Sequence, residues 1–286
     1  MKTVDEVVAL YTARSRVNDN AKSKMRTLRD YYNGDVVVPL PELDSDEKSA
    51  VANLLAQGLD QTAMRISSTN PDIYCPPLDS ATKKARENSQ IRRKALFGWW
   101  ENSRMDLQLS KRARHLIGYS TTCTQLRFNH RTGCPEWRVR DPLTAYPSTL
   151  LGVEDMRPRD VIFAYERSFG WLRENYPVAA AEFSAKETQQ DHPIEMIEYV
   201  SAEEQILVGT RSPINTVSFG QVTEQSPFVA VELERVANPI GECPVVFAQR
   251  ISLDDSQGQF DGILGMYQMQ ARLMALEVIA VQKGVF

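Results

Sequence analysis

The chain has 286 residues, of which 42% are hydrophobic and 24% are charged, a composition typical of a folded protein with one large domain or two ordinary ones. Its formal net charge is −4, and Arg272 and Glu277 interrupt its one candidate for an apolar stretch of the roughly 20 residues that a membrane span needs. The chain is therefore not expected to span a membrane. Its charged, amphipathic N-terminus lacks the features of a secretory signal, which predicts an intracellular protein.

Charge is distributed unevenly along the chain. Residues 1–82 carry a net charge of −3. Residues 83–140 carry 14 basic and 4 acidic side chains, a net charge of +10, whereas residues 141–286 carry 10 basic and 21 acidic side chains, a net charge of −11. The average therefore conceals a basic segment followed by a long acidic one.

The first 118 residues are predicted to be mostly helical. Apolar residues recur at helical spacing over residues 1–32, and Asn33 with Gly34 is a stop signal for that helix. Asp44 and Glu47 form a capping-box-like start for a second helix. The predicted buried face of the second helix consists of Val51, Leu54, Leu55, Leu59 and Met64. Two further helices are predicted from about residue 79 to 100 and from about 107 to 118.

The apolar periodicity then changes from helical to alternating. The runs STTCTQLRFN and EWRVRD flank a turn signal, which predicts a hairpin joined by residues 129–134. Short helical pieces are predicted within residues 170–188. Strand-like runs cover residues 144–148, 160–169, 194–201, 204–210, 228–236 and 244–249. This succession lacks the regular alternation of a doubly wound fold, so the predicted class is α+β with at least two sheets.

The C-terminal helix is apolar on more than one side. One heptad seam comprises Phe260, Leu264, Tyr267, Ala271, Met274, Val278 and Val281. Ile263, Met266, Leu273 and Ile279 add a second apolar flank. Such a helix needs several neighbours. Two interpretations are open at this point: a core helix of a single domain, or a helix that packs against copies of the same chain.

Sequence signatures of common enzymes do not occur in the chain. There is no G-x-G-x-x-G, no G-x-x-x-x-G-K-[ST], no G-x-S-x-G and no H-E-x-x-H, which predicts a protein that is not an enzyme and needs no cofactor. Carboxylates near residues 154–160 and 254–261 leave a Mg²⁺-dependent nuclease as a remote alternative, although Asp is also an ordinary turn residue. His115 lies among basic residues and is interpreted as a solvated residue rather than a catalytic base.

The cysteines do not predict a disulfide scaffold or a metal site. Cys75, Cys123, Cys134 and Cys243 are irregularly spaced, so free thiols are expected. Cys123, His130 and Cys134 flank the predicted hairpin turn as three potential zinc ligands, but a fourth ligand is missing and no C-x-x-C pair occurs. No bound metal is predicted.

The basic segment is a candidate contact surface. It can contact a phosphate backbone or an acidic protein surface, or it can be a solvated face balanced by the acidic part of the chain. The candidate residues are Lys83, Lys84, Arg86, Arg92, Arg93, Lys94, Lys111, Arg112 and Arg114.

An ordered set of short motifs resembles the portal proteins of tailed double-stranded DNA bacteriophages, particularly those of phages that infect actinobacteria. The motifs are LRDYYNGD, NLLAQGLDQTAMRI followed by NPDIYCPP, DPLTAYPS, NPIGECPVVFAQR and the long helix after Gly258. The resemblance covers nearly the whole chain, and it depends on the order and spacing of motifs that are individually short.

The resemblance implies a portal fold, with an α/β wing, a clip that contains β-strands and a helical stem, assembled as a ring. Residues 1–190 correspond to the wing, residues 191–250 to a clip candidate and residues 251–286 to the stem helix. Portals normally continue beyond the stem into more wing and a crown, so the chain is expected to be truncated there or to lose order.

The resemblance also implies the partners and the location. A ring of probably 12 copies would occupy one vertex of the capsid in the virion, after assembly in the host cytoplasm. It would contact the major capsid protein, the terminase large subunit and a head–tail adaptor protein, and double-stranded DNA would pass through its channel. Acidic residues suit a wall along which a polyanion slides. The candidates for this channel or its outlet are Glu195, Glu198, Glu203, Glu204, Asp254, Asp255 and Asp261.

In a ring of this kind, the seam on the C-terminal helix is the expected contact between subunits. The alternative function is a structural or adaptor protein that binds nucleic acid through the basic residues 83–140.

Overall fold

A computed structural model describes the chain over most of its length. The described residues are 1–35, 53–68, 72–129, 133–148, 157–183, 191–211, 215–218, 221–225, 228–252, 255–256, 258–262, 264–282 and 284. The helices are α1 (Val4–Asn33), α2 (Leu54–Ser67), α3 (Lys83–Asn102), α4 (Met105–Tyr119), α5 (Phe169–Asn175), α6 (Pro177–Ala180) and α7 (Leu264–Gln282). A short 3-10 helix covers Pro142–Thr144.

The strands form several antiparallel sheets. They are β1 (Thr121–Asn129), β2 (Cys134–Arg140), β3 (Ala145–Pro147), β4 (Asp160–Ser168), β5 (Pro193–Ser201), β6 (Glu204–Arg211), β7 (Asn215–Ser218), β8 (Gln221–Gln225), β9 (Val229–Ala237), β10 (Val245–Gln249), β11 (Ile251–Ser252) and β12 (Asp255–Ser256). The sheet orders are β10-β1-β2, β3-β4-β5-β6-β9, β7-β8 and β11-β12. The combination of helices with antiparallel sheets confirms the predicted α+β class.

The predicted long first helix is confirmed, and so is its stop signal. Gly34 adopts a φ of +86°, a left-handed conformation that glycine tolerates without a Cβ clash. The second helix begins at Leu54 with Asn53 as its N-cap, because the Asn53 side-chain oxygen accepts a hydrogen bond from the Ala56 amide at 3.0 Å. The capping box predicted at Asp44 lies outside the described residues.

The predicted buried face of α2 is only partly correct. Leu55 and Leu59 are buried, but Leu54 and Met64 are 37% and 64% exposed. The buried stripe continues instead through Ala63, at i+4 from Leu59, so Leu54 and Met64 lie beside it. Val51 lies outside the described residues.

The predicted β-hairpin is confirmed as β1 and β2. The two strands are antiparallel, with Cys123 opposite Arg140 and Asn129 opposite Cys134. The helices predicted at about 79–100 and 107–118 correspond to α3 and α4, although α3 begins at Lys83. Among the described helices, none is both long enough and apolar enough to cross a membrane.

The chain divides into two compact units. Unit 1 comprises residues 1–20 and 144–246, and unit 2 comprises residues 21–143 and 247–286. By sequence, unit 1 has 10 basic and 19 acidic residues, a net charge of −9, and unit 2 has 23 basic and 18 acidic residues, a net charge of +5. The uneven charge of the sequence is therefore also a difference between the two units.

Unit 1 is built around the five-stranded sheet, which is covered on both faces. The N-terminal part of α1 places Val7 in a cluster with Ile162, Ile197 and Ile206. The helices α5 and α6 contribute to a second cluster, which comprises Leu172, Ala180, Phe183, Ile194, Met196 and Val231. Neighbouring residues of β5 point into different clusters because side chains alternate along a strand.

The predicted boundary between wing and clip, after residue 190, falls between β4 and β5. These two strands are paired over nine residues in the sheet of unit 1, from Asp160 opposite Ser201 to Ser168 opposite Pro193. The assignment of residues 191–250 to a clip stays a prediction.

Unit 2 has a core of its own, made chiefly by helices. The core residues are Leu28, Tyr31, Leu55, Leu59, Ala63, Ala113, Ile117 and Phe260. Leu264 and Tyr267, at the start of α7, pack against this core and are partly buried. The C-terminal helix is therefore attached to unit 2 through its first two turns.

Candidate functional site

Helix α7 exposes a continuous apolar face. Met266, Met269, Leu273 and Leu276 are 71%, 66%, 57% and 49% exposed. At 100° per residue these four side chains, with Ala280, fall on one side of the helix. An exposed apolar face of this length is characteristic of a surface that binds another protein.

The opposite face of α7 is packed within the subunit. Ala271 and Ala275 are 8% and 3% exposed, and Phe260, Leu264 and Tyr267 belong to the core of unit 2 or pack against it. The helix therefore has one face that is covered in the subunit and one that is not.

The seam predicted from the sequence lies mainly on the covered face. Phe260 and Ala271 are buried, Leu264, Tyr267, Met274 and Val278 are half-buried, and Val281 is exposed. The role of this seam between subunits stays a prediction. Neither of the two apolar flanks predicted for this helix included Met269 or Leu276. Their signal was nevertheless present, because residues 266, 269, 273, 276 and 280 are separated alternately by three and four positions.

Helix α3 carries the most exposed cations of the predicted basic surface. In this fully described helix no residue is buried, and all six of its predicted contact residues are exposed: Lys83, Lys84, Arg86, Arg92, Arg93 and Lys94. Arg93 pairs with Asp72 at 2.9 Å and lies over the ring of Phe97 at 5.6 Å. The part of α3 from residue 83 to 95 is largely exposed and basic, and such a surface is suited to an acidic partner.

The basic residues of α4 are more closely integrated in the subunit. Arg114 donates from Nε to the Asp60 carboxylate at 2.6 Å, and Tyr32 donates to the same carboxylate. Lys111 donates from Nζ to the Val139 carbonyl at 3.3 Å. Arg112 is half-buried. Lys111 is nevertheless exposed, so six of the seven exposed residues of the predicted basic surface lie on α3 and one lies on α4.

The acidic candidates for a channel wall lie in different environments. Glu198 and Glu204 are buried at 4% and 5% exposure, and Glu195 is half-buried, where it accepts a hydrogen bond from the Tyr11 hydroxyl at 2.7 Å. The pKa of Tyr11 is raised, first by burial and then by this carboxylate. Glu203 and Asp261 are exposed. Asp254 and the side chain of Asp255 lie outside the described part, and the acidic lining stays a prediction.

A polar network fixes the N-terminus of the chain in unit 1. The buried carboxylate of Glu204 accepts hydrogen bonds from the Lys2 amide at 2.8 Å and from Arg235 at 2.5 Å. Arg235 also pairs with Glu232 at 2.6 Å, and these carboxylates raise the pKa of its guanidinium. These contacts join the start of the chain to β6 and β9, which is a structural role for Glu204.

A cavity of about 740 Å³ in unit 1 lies beside this network. Its lining includes Asp160 and Glu204, whose carboxylates are paired with Arg14 and Arg235 respectively. These two carboxylates thus have charged partners within the fold, as expected of a structural network.

Two ionisable groups of unit 2, His115 and Lys22, are partly or fully buried. Burial lowers the pKa of His115 to about 4, and the imidazole stacks on Tyr119 with ring centroids 5.6 Å apart. The expectation of a solvated His115 is therefore wrong. Lys22 is 4% exposed and donates to the Pro142 carbonyl, and burial lowers its pKa to about 8. These contacts of the two side chains are with residues of the same unit.

The structure argues against the zinc alternative. All four cysteines are free, as predicted. Cys123 and Cys134 lie near opposite ends of the hairpin, because Cys134 pairs with Asn129, six residues further along β1. Six residues of a strand span about 20 Å, which is too far for two ligands of one metal ion. His130 lies outside the described residues.

The described residues do not form the metal-binding cluster that a Mg²⁺-dependent nuclease would need. Among them, no group of three or more His, Cys, Asp or Glu side chains is placed to hold a metal ion. Asp160 pairs with Arg14, and Asp261 accepts a hydrogen bond from the Gly258 amide at 2.9 Å. These carboxylates therefore have structural roles in the fold.

Comparison with known proteins does not assign a family to the chain. No protein-family model matches it, and no curated protein is significantly similar to it in sequence.

Proposed function

We propose that the chain is a structural subunit of the portal ring of a tailed double-stranded DNA bacteriophage. In this role it is not an enzyme and uses no cofactor. Its partners are further copies of itself, about twelve in the ring, together with the major capsid protein, the terminase large subunit and a head–tail adaptor protein. DNA passes through the ring during packaging and ejection. The subunit is located in the host cytoplasm during assembly and then at the portal vertex of the virion.

The exposed apolar face of α7 is the observation that carries this proposal. Met266, Met269, Leu273 and Leu276 lie on one side of the helix and are about half to three-quarters exposed in the single subunit. Full burial of one such side chain stabilises a protein by about 1.5–3 kcal/mol, so covering the exposed parts of four of them is worth on the order of 5 kcal/mol. Assembly of identical subunits provides such a cover.

The charge difference between the two units supports contacts between neighbouring copies. Unit 1 has a net charge of −9 and unit 2 has a net charge of +5. In a ring, each subunit contacts its neighbour through two different surfaces, so surfaces of opposite charge can face each other at every interface. Electrostatic complementarity of this kind favours a specific orientation over random association.

The order of the sequence motifs supports the more specific identification as a portal. The α+β architecture, with a long first helix, a hairpin and a long apolar helix after Gly258, is compatible with it. The number of subunits, the DNA channel and the partners other than further copies follow from the resemblance alone.

Mass photometry and averaged negative-stain images of the purified chain test the proposal. We expect ring-shaped particles with about twelve times the 32.4 kDa mass of the subunit. Particles of subunit mass only, at micromolar concentration and low salt, would overturn it. A mutant with Leu273→Asp should remain folded, because Leu273 is exposed in the subunit, but should not form particles.

The basic face of α3 favours DNA binding as a second candidate function. Its cations are exposed, and a monomer that bound linear DNA through them would show strong salt dependence. Each phosphate contact adds about 0.9 to the slope of log K against log salt concentration, so Lys84→Glu with Lys94→Glu should reduce the slope by about 2. Arg16→Glu with Lys24→Glu makes the same change of charge on α1 and should have less effect. Equal effects of both pairs, or no binding by the monomer, would exclude this function for α3.

A further inference from the structure

The exposed face of α7 has the periodicity of a coiled-coil seam. Its apolar residues are separated by three, four, three and four positions, the spacing of heptad positions a and d. They are Met266, Met269, Leu273, Leu276 and Ala280. This seam is distinct from the one that packs within the subunit, where Ala271 and Ala275 are buried. A helix with the same spacing can therefore dock against it without displacing the core.

The charged residues of α7 are placed at the edges of this seam. Arg272 and Glu277 are the only charged residues of Leu264–Gln282, and both are exposed. With Leu273 at position a and Leu276 at position d, Arg272 occupies position g and Glu277 occupies position e. They are five residues apart and so do not face each other on one helix, where contacts occur at three and four residues.

The spacing of these two charges fits a second α7 in parallel orientation. In parallel, in-register coiled coils, position g of one helix lies beside position e of the next heptad on the neighbouring helix, five residues further on. Arg272 of one copy then lies beside Glu277 of the next. In an antiparallel pair, position g faces position g and position e faces position e. Arg272 would then lie on the same side of the contact as Arg272 of the other copy, and Glu277 on the same side as Glu277, so neither residue would meet an opposite charge.

We propose that the exposed seam of α7 binds α7 of a second copy of this chain, in parallel and in register, with Arg272 of one copy paired with Glu277 of its neighbour. The inference rests on the proposed assembly of identical subunits and specifies which face, orientation and register the contact has. It differs from the seam expected from the sequence, which is on the other side of the helix. Both the apolar spacing and the charge complementarity select the same occupant.

Charge-reversal variants test the pair without disturbing the fold, because both residues are exposed. Arg272→Glu makes both positions acidic, and Glu277→Arg makes both basic. Replacing an attraction by a repulsion at a partly exposed site should weaken self-association of either variant by about tenfold at low salt. The double variant Arg272→Glu with Glu277→Arg should recover association close to that of the wild type. In 1 M salt, the differences in self-association between these variants and the wild type should largely disappear.

Mixing the two single variants gives the sharper measurement. Each subunit of one variant then meets an opposite charge on a subunit of the other, so an equimolar mixture should co-assemble about tenfold more strongly than either variant alone. Sedimentation velocity and energy transfer between differently labelled subunits measure this, and circular dichroism with thermal melting checks that each variant is folded. Association of the single variants equal to that of the wild type, or a mixture that associates no better than its components, would overturn the proposed pair.

The outcomes distinguish this inference from the proposed function. Rings that are insensitive to all the charge reversals would leave the portal proposal intact and exclude the pair. A charge-dependent parallel dimer without rings would support the pair and exclude the ring. A wild-type chain that remains monomeric would exclude both.

Discussion

Truncation of Leu273 to alanine should separate assembly from folding. Leu273 is 57% exposed in the subunit and alanine has a high helix propensity, so the free energy of unfolding of the subunit should change by less than about 0.5 kcal/mol. If a second helix covers this face, the same substitution removes apolar contacts from every interface. The matched control is Val278→Ala, on the face of α7 that packs within the subunit.

The expected loss of association free energy for Leu273→Ala follows from the exposed fraction of the Leu273 side chain. Full burial of a leucine side chain is worth about 1.5–3 kcal/mol, of which roughly half remains to be gained at a position that is about half exposed. Alanine retains part of that gain, so the loss is about 1 kcal/mol for each interface, or roughly fivefold in the association constant. Val278→Ala should instead lower the stability of the subunit by about 1 kcal/mol and leave the association of folded subunits unchanged.

Two measurements on the same preparations check this prediction. Urea unfolding followed by circular dichroism gives the stability, and sedimentation velocity over a range of concentrations gives the association constant. Weakened association of Val278→Ala together with unchanged association of Leu273→Ala would show that the interface uses the other face. The contact between subunits would then be the seam expected from the sequence and not the exposed face of α7.

Three further predictions concern the stability of the subunit. Gly98→Ala should stabilise α3 by about 0.5–1 kcal/mol, because a Cβ at Gly98 meets open space. Gly118→Ala should destabilise the protein by about 1–3 kcal/mol, because its Cβ would lie only 3.0 and 3.1 Å from two leucine side chains. Thermal melting of the two variants checks the sign of both changes in stability. Asn53→Ala should cost about 1–2 kcal/mol in urea unfolding, since Asn53 caps α2 and also donates to two carbonyls at the end of α1; no loss would show that neither contact matters. Because of His115, the free energy of unfolding should fall by up to about 3 kcal/mol as the pH decreases from 6.5 to 4. The imidazole takes up a proton in that range in the unfolded chain, but not in the folded protein, where its pKa is about 4. His115→Phe should remove this part of the pH dependence, and a variant with the same dependence of stability on pH as the wild type would refute the prediction.

Much of the secondary structure could be predicted because its signals are local. The long α1 follows from helical spacing and the Asn33-Gly34 stop, and the hairpin of β1 and β2 follows from alternation around a turn. Helix α3 begins at Lys83, a few residues later than the sequence predicts. Asp79 is a residue type that often caps a helix, but its carboxylate accepts hydrogen bonds from the Ala81 amide and the Thr82 hydroxyl, both of which precede the helix. Boundaries depend on such individual contacts.

The roles of individual polar residues could not be predicted in the same way. Glu204 looked like a residue for an acidic surface, but it is buried with Arg235, which is 31 positions away in the sequence. His115 lies among basic neighbours in the sequence and yet is largely buried. Burial and pairing between distant residues arise only when the sheets and helices pack, so no local pattern contains them.

The sequence by itself determined that the chain is α+β, that its charge is divided between a basic and an acidic segment, and that its last helix is apolar on several sides. The tertiary structure decided which of those sides is available. Two seams of heptad spacing are present in α7, and periodicity treats them alike; Phe260, Leu264 and Tyr267 fix one of them against the core of unit 2, and the other is left exposed. The physical reason is that a helix has a single rotation about its axis, which is set by the contacts at its first turns and not by its own composition.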